Sequence, residues 1–159
     1  MRKFIALVSV ILITSAYCKI ADTNSTEVSK DIIKRNLEKV RWENLVYALC
    51  QVESGCDDTA TNPHSTAAGR FQMLRGYVDE VNRIKRKKIY TYNDRFNPIK
   101  AREMFEIYQA HHNPKRDIDR AIIIHRGKIS KKYIKKVKEE MRHGRNKSRG
   151  NYIPLYTTI

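Results

Sequence analysis

Apolar residues recur along the chain with the spacing that places side chains on one face of an α-helix. The stretches with this spacing span 33–40, 45–52, 77–84, 101–108, 118–124 and 133–141. The spacing is interrupted at 41–44, so the first two stretches form either two short helices or one long bent helix. Residues 56–72 lack apolar periodicity and are rich in turn-forming residues, which predicts a loop. Helices around a central polar loop favour a mainly α domain with a cleft over a parallel α/β sheet.

Several helix boundaries are indicated by single residues. Gly55 follows the second apolar stretch and is a plausible helix stop, since glycine readily adopts the left-handed conformation that ends helices. Asn97-Pro98 predicts a helix start with proline at the first helical position. Ser130 is a candidate cap for the last helix.

The N-terminus has the pattern of an export signal. Arg2 and Lys3 precede an uncharged, largely apolar run that ends in small residues. The run is shorter than the ~20 apolar residues needed to cross a bilayer. We therefore interpret residues 1–18 as a signal peptide cleaved between Ala16 and Lys19, with a retained N-terminal anchor as the alternative. The chain then divides into a signal peptide at 1–18, a flexible leader at 19–29, a folded domain at 30–142 and a basic C-terminal tail at 143–159.

The chain carries a large positive charge, because 32 Lys and Arg against 17 Asp and Glu give a formal net charge of +15. Such an excess favours a polyanionic partner, and nucleic acid, anionic lipid and anionic cell-wall polymers all qualify. Export of the chain argues against nucleic acid. We therefore expect a secreted or periplasmic monomer that meets anionic polymers of the cell envelope, and no nucleic-acid partner.

The cysteines are Cys18, Cys50 and Cys56. Cleavage of the signal after Cys18 leaves the other two as a pair in an oxidising compartment. Two cysteines six positions apart on a continuous helix are too distant to bond, so a disulfide requires the helix to end near Ser54-Gly55. The alternative is two free thiols.

Residues 48–73 combine groups that glycosidic-bond cleavage needs. A helix with an apolar face ends at Glu53, and a carboxyl group walled by apolar side chains favours the protonated form that such a reaction requires. Gly69 lets the backbone approach a sugar closely. Gln72 can both donate and accept hydrogen bonds, as a sugar or an N-acetyl group requires. The alternative reading is a solvated helix-end carboxylate followed by ordinary turn residues.

These residues resemble the lysozyme-like superfamily, in particular its soluble lytic transglycosylase and phage lysozyme branches. Glu53-Ser54 matches the family's Glu-Ser, and Ala-Ala-Gly-Arg-Phe-Gln-Met at 67–73 matches its Gly-Ala-x-Gly-Leu-Met-Gln type of segment. The resemblance implies a lysozyme-like helical catalytic domain at 30–142 with a central substrate cleft, and it makes Glu53 the general acid. The same resemblance implies substrate-binding roles for Ser65, Gly69, Phe71 and Gln72.

Farther along, residues 121–137 resemble the family's Ala-x-x-x-Tyr-Asn-x-Gly…Tyr-Val-x-x-Val segment, with His125-Arg126 in place of Tyr-Asn. In relatives this tyrosine lies in the active cleft. The resemblance therefore implies that His125 and Arg126 bind substrate, with His125 as a donor to the sugar or to Glu53. Core packing is the alternative for a lone histidine in an apolar run.

The reaction that these features favour is cleavage of the β-1,4 bond between N-acetylmuramic acid and N-acetylglucosamine in peptidoglycan. A hydrolytic muramidase normally uses a second carboxylate. Nothing in the sequence places Asp57 or Asp58 across the cleft, so a lytic transglycosylase with one carboxylate is favoured over a muramidase.

Two further classes of protein stay open: a non-catalytic basic wall-binding protein on the same scaffold, and a cationic membrane-active protein. No cofactor or metal is expected, because His64, His111 and His112 lack metal-like spacing with other ligands.

Overall fold

The computed structural model describes the backbone of residues 2–147 and the side chains of residues 27–143. Its helices are α1 (Arg2–Ser54), α2 (Arg75–Ile84), α3 (Pro98–His112), α4 (Ile118–Arg126) and α5 (Lys131–Lys147), with a short 3₁₀ helix at Tyr92–Phe96. Strand-like pairing within these residues is limited to isolated bridges that join Ala68 to Thr61 and to Met73. The mainly α fold class predicted from the sequence is confirmed.

The long helix α1 is continuous through residues 41–44, so the structure contains one long helix there and not two short ones. It also passes through residues 19–29, for which the sequence predicts a flexible leader. The side chains of residues 1–26, which include the predicted signal peptide, and residues 148–159 of the predicted basic tail lie outside the described residues. In the described part of the chain, no helix is both long and apolar enough to span a membrane.

The chain divides into two compact units, residues 1–41 and residues 42–159. In the first unit, α1 leaves large apolar side chains in solvent: Val28, Ile33, Leu37 and Val40 are between 55% and 64% exposed. Among the described residues, the buried apolar core lies entirely in the second unit. A site that needs a fixed scaffold is therefore expected in the second unit.

The core of the second unit is formed by the apolar faces that the helical spacing predicts. Its most deeply buried aliphatic and aromatic side chains include Leu45, Leu49, Val78, Val81, Met104, Phe105, Ala121, Ile122 and Val137. These residues come from the end of α1 and from each of the four later helices. Fully burying one large side chain of this kind contributes about 1.5–3 kcal/mol relative to leaving it exposed. Burial of the apolar faces therefore holds the helices together.

Polar side chains fix where two of the helices begin. Asn97 Oδ1 accepts hydrogen bonds of 3.0 Å from the backbone amides of Ile99 and Lys100, and the proline that follows it occupies the first helical position, as predicted. Ser130 Oγ accepts a hydrogen bond of 3.3 Å from the backbone amide of Tyr133 at the start of α5. These caps satisfy backbone amides that the helices themselves leave free.

A network of partly buried ion pairs joins α1 to α3 within the second unit. Trp42 Nε1 donates to Glu106 Oε1 at 2.8 Å. Arg102 donates to Glu43 at 2.8 and 3.0 Å and to Glu106 at 2.9 Å. The Arg102 side chain is only 15% exposed, so these pairs are better shielded from water than ordinary surface pairs. The network fixes the packing of this part of α1 against α3.

Candidate active site

Glu53 lies in the last turn of α1, where the helix stops abruptly. Gly55 and Cys56 adopt positive φ angles of 69° and 64°, and their backbone amides donate to the carbonyl oxygens of Gln51 and Cys50. The turn brings the α carbons of Cys50 and Cys56 to 4.8 Å, and the two residues form a disulfide. The helix end that a disulfide between these cysteines requires is therefore present. The disulfide fixes the backbone directly beside Glu53.

Ser54, the neighbour of Glu53, attaches the helix end to the following loop. Its hydroxyl donates to the Arg70 carbonyl oxygen at 2.9 Å and accepts from the Asp57 backbone amide at 3.1 Å. Arg70 makes a two-point ion pair with Asp58 at 2.5 and 2.8 Å, and the arginine side chain is 15% exposed. Paired charge-assisted hydrogen bonds of this kind impose geometry. The loop is thus held in a fixed position relative to Glu53.

Gly69 is required by a close approach between two backbone segments. Its φ is +70°, and a Cβ atom here would lie 1.9 Å from the Arg95 carbonyl oxygen. Arg95 is buried and donates to the carbonyl oxygens of Thr66, Met73 (3.0 Å) and Tyr92 (2.6 Å). Burial lowers the pKa of the Arg95 guanidinium. From the sequence we expect Gly69 to let the backbone approach a sugar. In the structure it instead allows the close contact with Arg95 that supports the loop.

The loop, the helix ends and α4 enclose a cleft with a volume of about 530 Å³. Of the site residues predicted from the sequence, five line this cleft: Glu53, Ser65, Gln72, His125 and Arg126. The lining is completed by Asn62, Thr66, Ala67, Met73, Leu74, Gly76, Tyr77, Tyr108, Ile124 and Gly127. The volume lies within the range of about 300–1,000 Å³ that is usual for small-ligand sites. Gly69 and Phe71 do not line the cleft.

Phe71 is buried in the core instead of facing a substrate. It is 2% exposed, and its ring stacks on Phe105 with 5.5 Å between the ring centroids. The His125 ring meets it edge-on at 6.3 Å. Aromatic rings in such arrangements stabilise a core through burial and ring contacts. Phe71 therefore supports the wall of the cleft from behind.

Gln72 and Ser65 contribute polar groups to the cleft. Gln72 Nε2 donates to the carbonyl oxygens of Ala60 at 3.3 Å and Gly69 at 3.1 Å, which fixes the amide plane. Within the described residues, Gln72 Oε1 is left to accept a hydrogen bond from a ligand. Ser65 Oγ accepts from the Ala67 backbone amide at 3.2 Å, so its own hydrogen is available for donation.

The Glu53 carboxyl group is largely enclosed, with a side chain that is 11% exposed. The Tyr133 hydroxyl donates a hydrogen bond to Glu53 Oε1. His125 Nε2 lies 3.9 Å from the same oxygen. Glu53 Oε2 has no hydrogen-bond partner among the described residues, so it is the oxygen from which a proton can pass to a ligand.

Burial disfavours the charged forms of the two side chains beside Glu53. Burial lowers the pKa of His125, whose side chain is 3% exposed, although the Glu53 carboxylate and the Phe71 backbone act in the opposite direction. Burial raises the pKa of Tyr133, and the charge of Glu53 adds to the effect. Both pKa shifts therefore favour a neutral imidazole and a protonated phenol beside Glu53.

Residues 30–113 match the family model described as Transglycosylase SLT domain, which is more than half of the chain. The chain belongs to this family. Membership supports, in general terms, a lytic-transglycosylase-type enzyme that acts on peptidoglycan. Among curated proteins and solved structures, none gives a significant match.

The match to the SLT domain ends before α4 and α5, the helices that supply His125 and Tyr133. Tyr133 is absent from the site residues predicted from the sequence. The sequence offers one indication of Tyr133, which is that it aligns with the tyrosine of the family's Tyr-Val-x-x-Val segment. That alignment suggests no role for the residue. The hydrogen bond between Tyr133 and Glu53 joins positions 80 residues apart, which a sequence pattern does not reveal.

Arg126 is an exposed cation that lines the cleft. Its guanidinium carbon lies 5.1 Å from the centroid of the Tyr133 ring, within the range of a cation–π contact. Arg126 therefore both lines the cleft and contacts the ring of the residue that donates to Glu53.

The aspartates that follow Glu53 in sequence are used elsewhere in the SLT domain. Asp57 accepts from the backbone amide and the hydroxyl of Thr59 at 2.8 and 2.7 Å, and these hydrogen bonds lower the pKa of Asp57. Asp58 is held in its ion pair with Arg70. Among the described residues that line the cleft, Glu53 is the only carboxylate.

Proposed function

We propose that the protein is a lytic transglycosylase that cleaves the β-1,4 bond between N-acetylmuramic acid and N-acetylglucosamine, with Glu53 as its acid and base. One observation carries the proposal: no second Asp or Glu lies among the described residues that line the cleft with Glu53. Glycoside hydrolases normally use two carboxyl groups, about 5–9.5 Å apart. A single carboxyl group favours a reaction in which the substrate supplies its own nucleophile.

In the first half of this reaction Glu53 acts as an acid. The proton on Oε2 passes to the glycosidic oxygen of the leaving N-acetylglucosamine, the bond from that oxygen to the muramyl C1 breaks, and C1 becomes cationic. Glu53 becomes negative in the same step. The hydrogen bond from Tyr133 to Oε1 strengthens as this charge develops, which stabilises the transition state more than the ground state.

In the second half Glu53 acts as a base. Its carboxylate takes the proton of the 6-hydroxyl of N-acetylmuramic acid while the oxygen of that hydroxyl bonds to C1. The product is a 1,6-anhydro sugar, no water is consumed, and Glu53 ends protonated as it began. One carboxyl group therefore completes both proton transfers.

The polar lining of the cleft supports a peptidoglycan strand as substrate. Gln72 Oε1 can accept the N–H of an N-acetyl group, and the Ser65 hydroxyl can donate to a sugar oxygen. The exposed Arg126 suits the carboxylates that the muramyl substituents carry. Fixed hydrogen-bonding groups of this kind orient a ligand that the apolar walls alone would hold only loosely.

The decisive variant is Glu53→Gln, which keeps the shape of the side chain and removes its acidity. Glu139→Gln is its matched control, because Glu139 is a surface glutamate with Lys135 at 3.9 Å. We expect the first variant to fold and to leave purified peptidoglycan intact, and the control to clear it at the parental rate. Normal clearing by Glu53→Gln would refute the assignment.

The masses of the released fragments distinguish the reaction types. Transglycosylase products lack one water relative to hydrolysis products. Fragments that carry only reducing ends would instead support a hydrolytic muramidase. Salt-sensitive retention on peptidoglycan without release of fragments would support a non-catalytic basic wall-binding protein.

We further propose that the chain acts in the cell envelope or outside the cell after export by its N-terminal segment. The net charge of +15 supports docking onto anionic wall polymers. N-terminal sequencing of the protein recovered from the envelope tests this proposal, and a new terminus between Ala16 and Lys19 is expected. An uncleaved N-terminus in a membrane fraction would instead support the anchor.

A further inference from the structure

Two histidines and a glutamate come together where α2 and α3 meet. His112 Nε2 lies 3.1 Å from Glu80 Oε1. The ring of His111 stands edge-on to the ring of His112, with 4.7 Å between centroids. One ligating atom from each of the three residues lies within 4.8 Å of the others. Such a cluster can place its donor atoms around one ion.

The sequence does not reveal this cluster. Glu80 precedes His112 by 32 residues, and only the fold brings the two together. The expectation of no metal considers His111 and His112 by their spacing along the chain. Spacing along the chain does not consider Glu80, because it lies on another helix.

We propose that Glu80, His111 and His112 form a binding site for a zinc ion. Two imidazole nitrogens and one carboxylate oxygen are a common donor set for zinc, and water takes the fourth position. This site is distinct from Glu53 and does not depend on the proposed reaction.

The contact between His112 and Glu80 is close to the geometry that zinc requires. Zinc bonds of about 2.0–2.2 Å in a tetrahedron place neighbouring ligand atoms about 3.3–3.5 Å apart. The observed separation is 3.1 Å, so a few tenths of an ångström of opening admits the ion between them. His111 is exposed, so its ring can rotate towards the ion without displacing core side chains.

Arg83 holds Glu80 from the other side. Its Nε donates to Oε2 and its terminal nitrogen to Oε1, each at 2.6 Å. Ligating carboxylates are commonly oriented by an outer hydrogen bond of this kind. The positive charge of Arg83 opposes the ion, but the arginine side chain is 67% exposed and solvent screens its charge. Arg83 can therefore keep its bond to Oε2 while Oε1 binds zinc.

The site adjoins the wall of the cleft. The ring of His112 packs on Tyr108 at 4.5 Å, and Tyr108 stacks on Tyr77 at 4.1 Å between centroids. Both tyrosines line the cleft. Zinc bound between α2 and α3 would join the helices that carry these two rings, so its role is to stabilise the wall.

The test is calorimetric titration of the untagged, chelator-treated full chain with zinc chloride. We expect one equivalent to bind. Glu80→Gln, His111→Gln and His112→Gln should each weaken binding at least about tenfold, because loss of a ligand costs no less than loss of an outer partner. His64→Gln removes an exposed histidine from the loop and should leave the affinity unchanged.

Cobalt(II) provides a second readout, since a tetrahedral protein site gives it visible absorption that the hydrated ion lacks. That absorption should appear in the parent and be lost in Glu80→Gln, while circular dichroism shows that the variant is folded. Three outcomes would overturn the proposal: no saturable zinc binding by the parent, unchanged affinity in Glu80→Gln, or equal weakening in His64→Gln.

Discussion

Replacing Tyr133 by phenylalanine removes the hydroxyl that donates to Glu53 Oε1 and keeps the ring that packs under Arg126. We expect Tyr133→Phe to fold and to cleave peptidoglycan much more slowly than the parent. The donor matters most when Glu53 has given up its proton, because the hydrogen bond is then made to a negative charge. The loss should therefore fall on the catalytic step.

The size of the effect follows from the nature of the bond. A hydrogen bond to a charged group contributes about 1.5–3 kcal/mol, and about 1.36 kcal/mol corresponds to a tenfold change in rate. We therefore expect kcat to fall about 10- to 150-fold, with little change in KM. Because the Glu53 side chain is only 11% exposed, water cannot readily replace the missing donor.

Tyr92→Phe is the matched control, since the Tyr92 hydroxyl also donates to a carboxylate, that of Asp79, at 3.0 Å, but outside the cleft. The assay measures soluble fragments released from purified peptidoglycan at several substrate concentrations, which separates kcat from KM. Thermal melts verify that both variants are folded. A rate for Tyr133→Phe within about threefold of the control would refute the assignment of Tyr133 as the residue that positions and stabilises Glu53.

Three further predictions concern stability, each measured by denaturant unfolding. Gly69→Ala should lose more than about 2 kcal/mol, because its φ is +70° and its Cβ would lie 1.9 Å from the Arg95 carbonyl oxygen; parental stability would contradict this close contact. Alanine at both Cys50 and Cys56 should cost about 2 kcal/mol by removing the cross-link from the unfolded chain, and an unchanged midpoint would argue against the bridge. Burial lowers the pKa of His125, so below about pH 6.5 the unfolded chain binds a proton that the folded chain does not. Stability should thus be complete above that pH and fall on acidification, and an equally steep fall in His125→Gln would rule out this histidine as its source.

The helices could be predicted because their signals are local. Apolar spacing identifies the buried faces of the second unit, although the same spacing at 33–40 lies on an exposed part of α1, and the side chain of Asn97 caps the helix that begins beside it. The continuity of α1 through 41–44 could not be predicted, since an interrupted apolar face does not break the backbone hydrogen bonds of a helix.

The sequence motif was enough to predict some of the site residues but not all of them. Glu53 and Gln72 carry chemistry at a recognisable separation, and both line the cleft. Gly69 and Phe71 belong to the same motif, but Gly69 makes the contact with Arg95 and Phe71 packs in the core. Which of its side chains face a ligand depends on packing with distant residues.

His125 and Arg126 stand where the family's segment has Tyr-Asn, and this departure leaves a non-catalytic wall-binding protein open as an interpretation of the sequence. Under the proposed reaction, this departure does not leave Glu53 without a hydrogen-bond donor. His125 Nε2 is 3.9 Å from Glu53 Oε1, too far for a hydrogen bond, yet the oxygen still receives a donor, from Tyr133 on α5. Burial raises the pKa of Tyr133, which favours the protonated phenol that donates, whereas a neutral imidazole has one donor and one acceptor nitrogen. Because Oε1 accepts this hydrogen bond, Oε2 is left for a ligand, and the histidine at position 125 does not deprive the proposed acid of a donor.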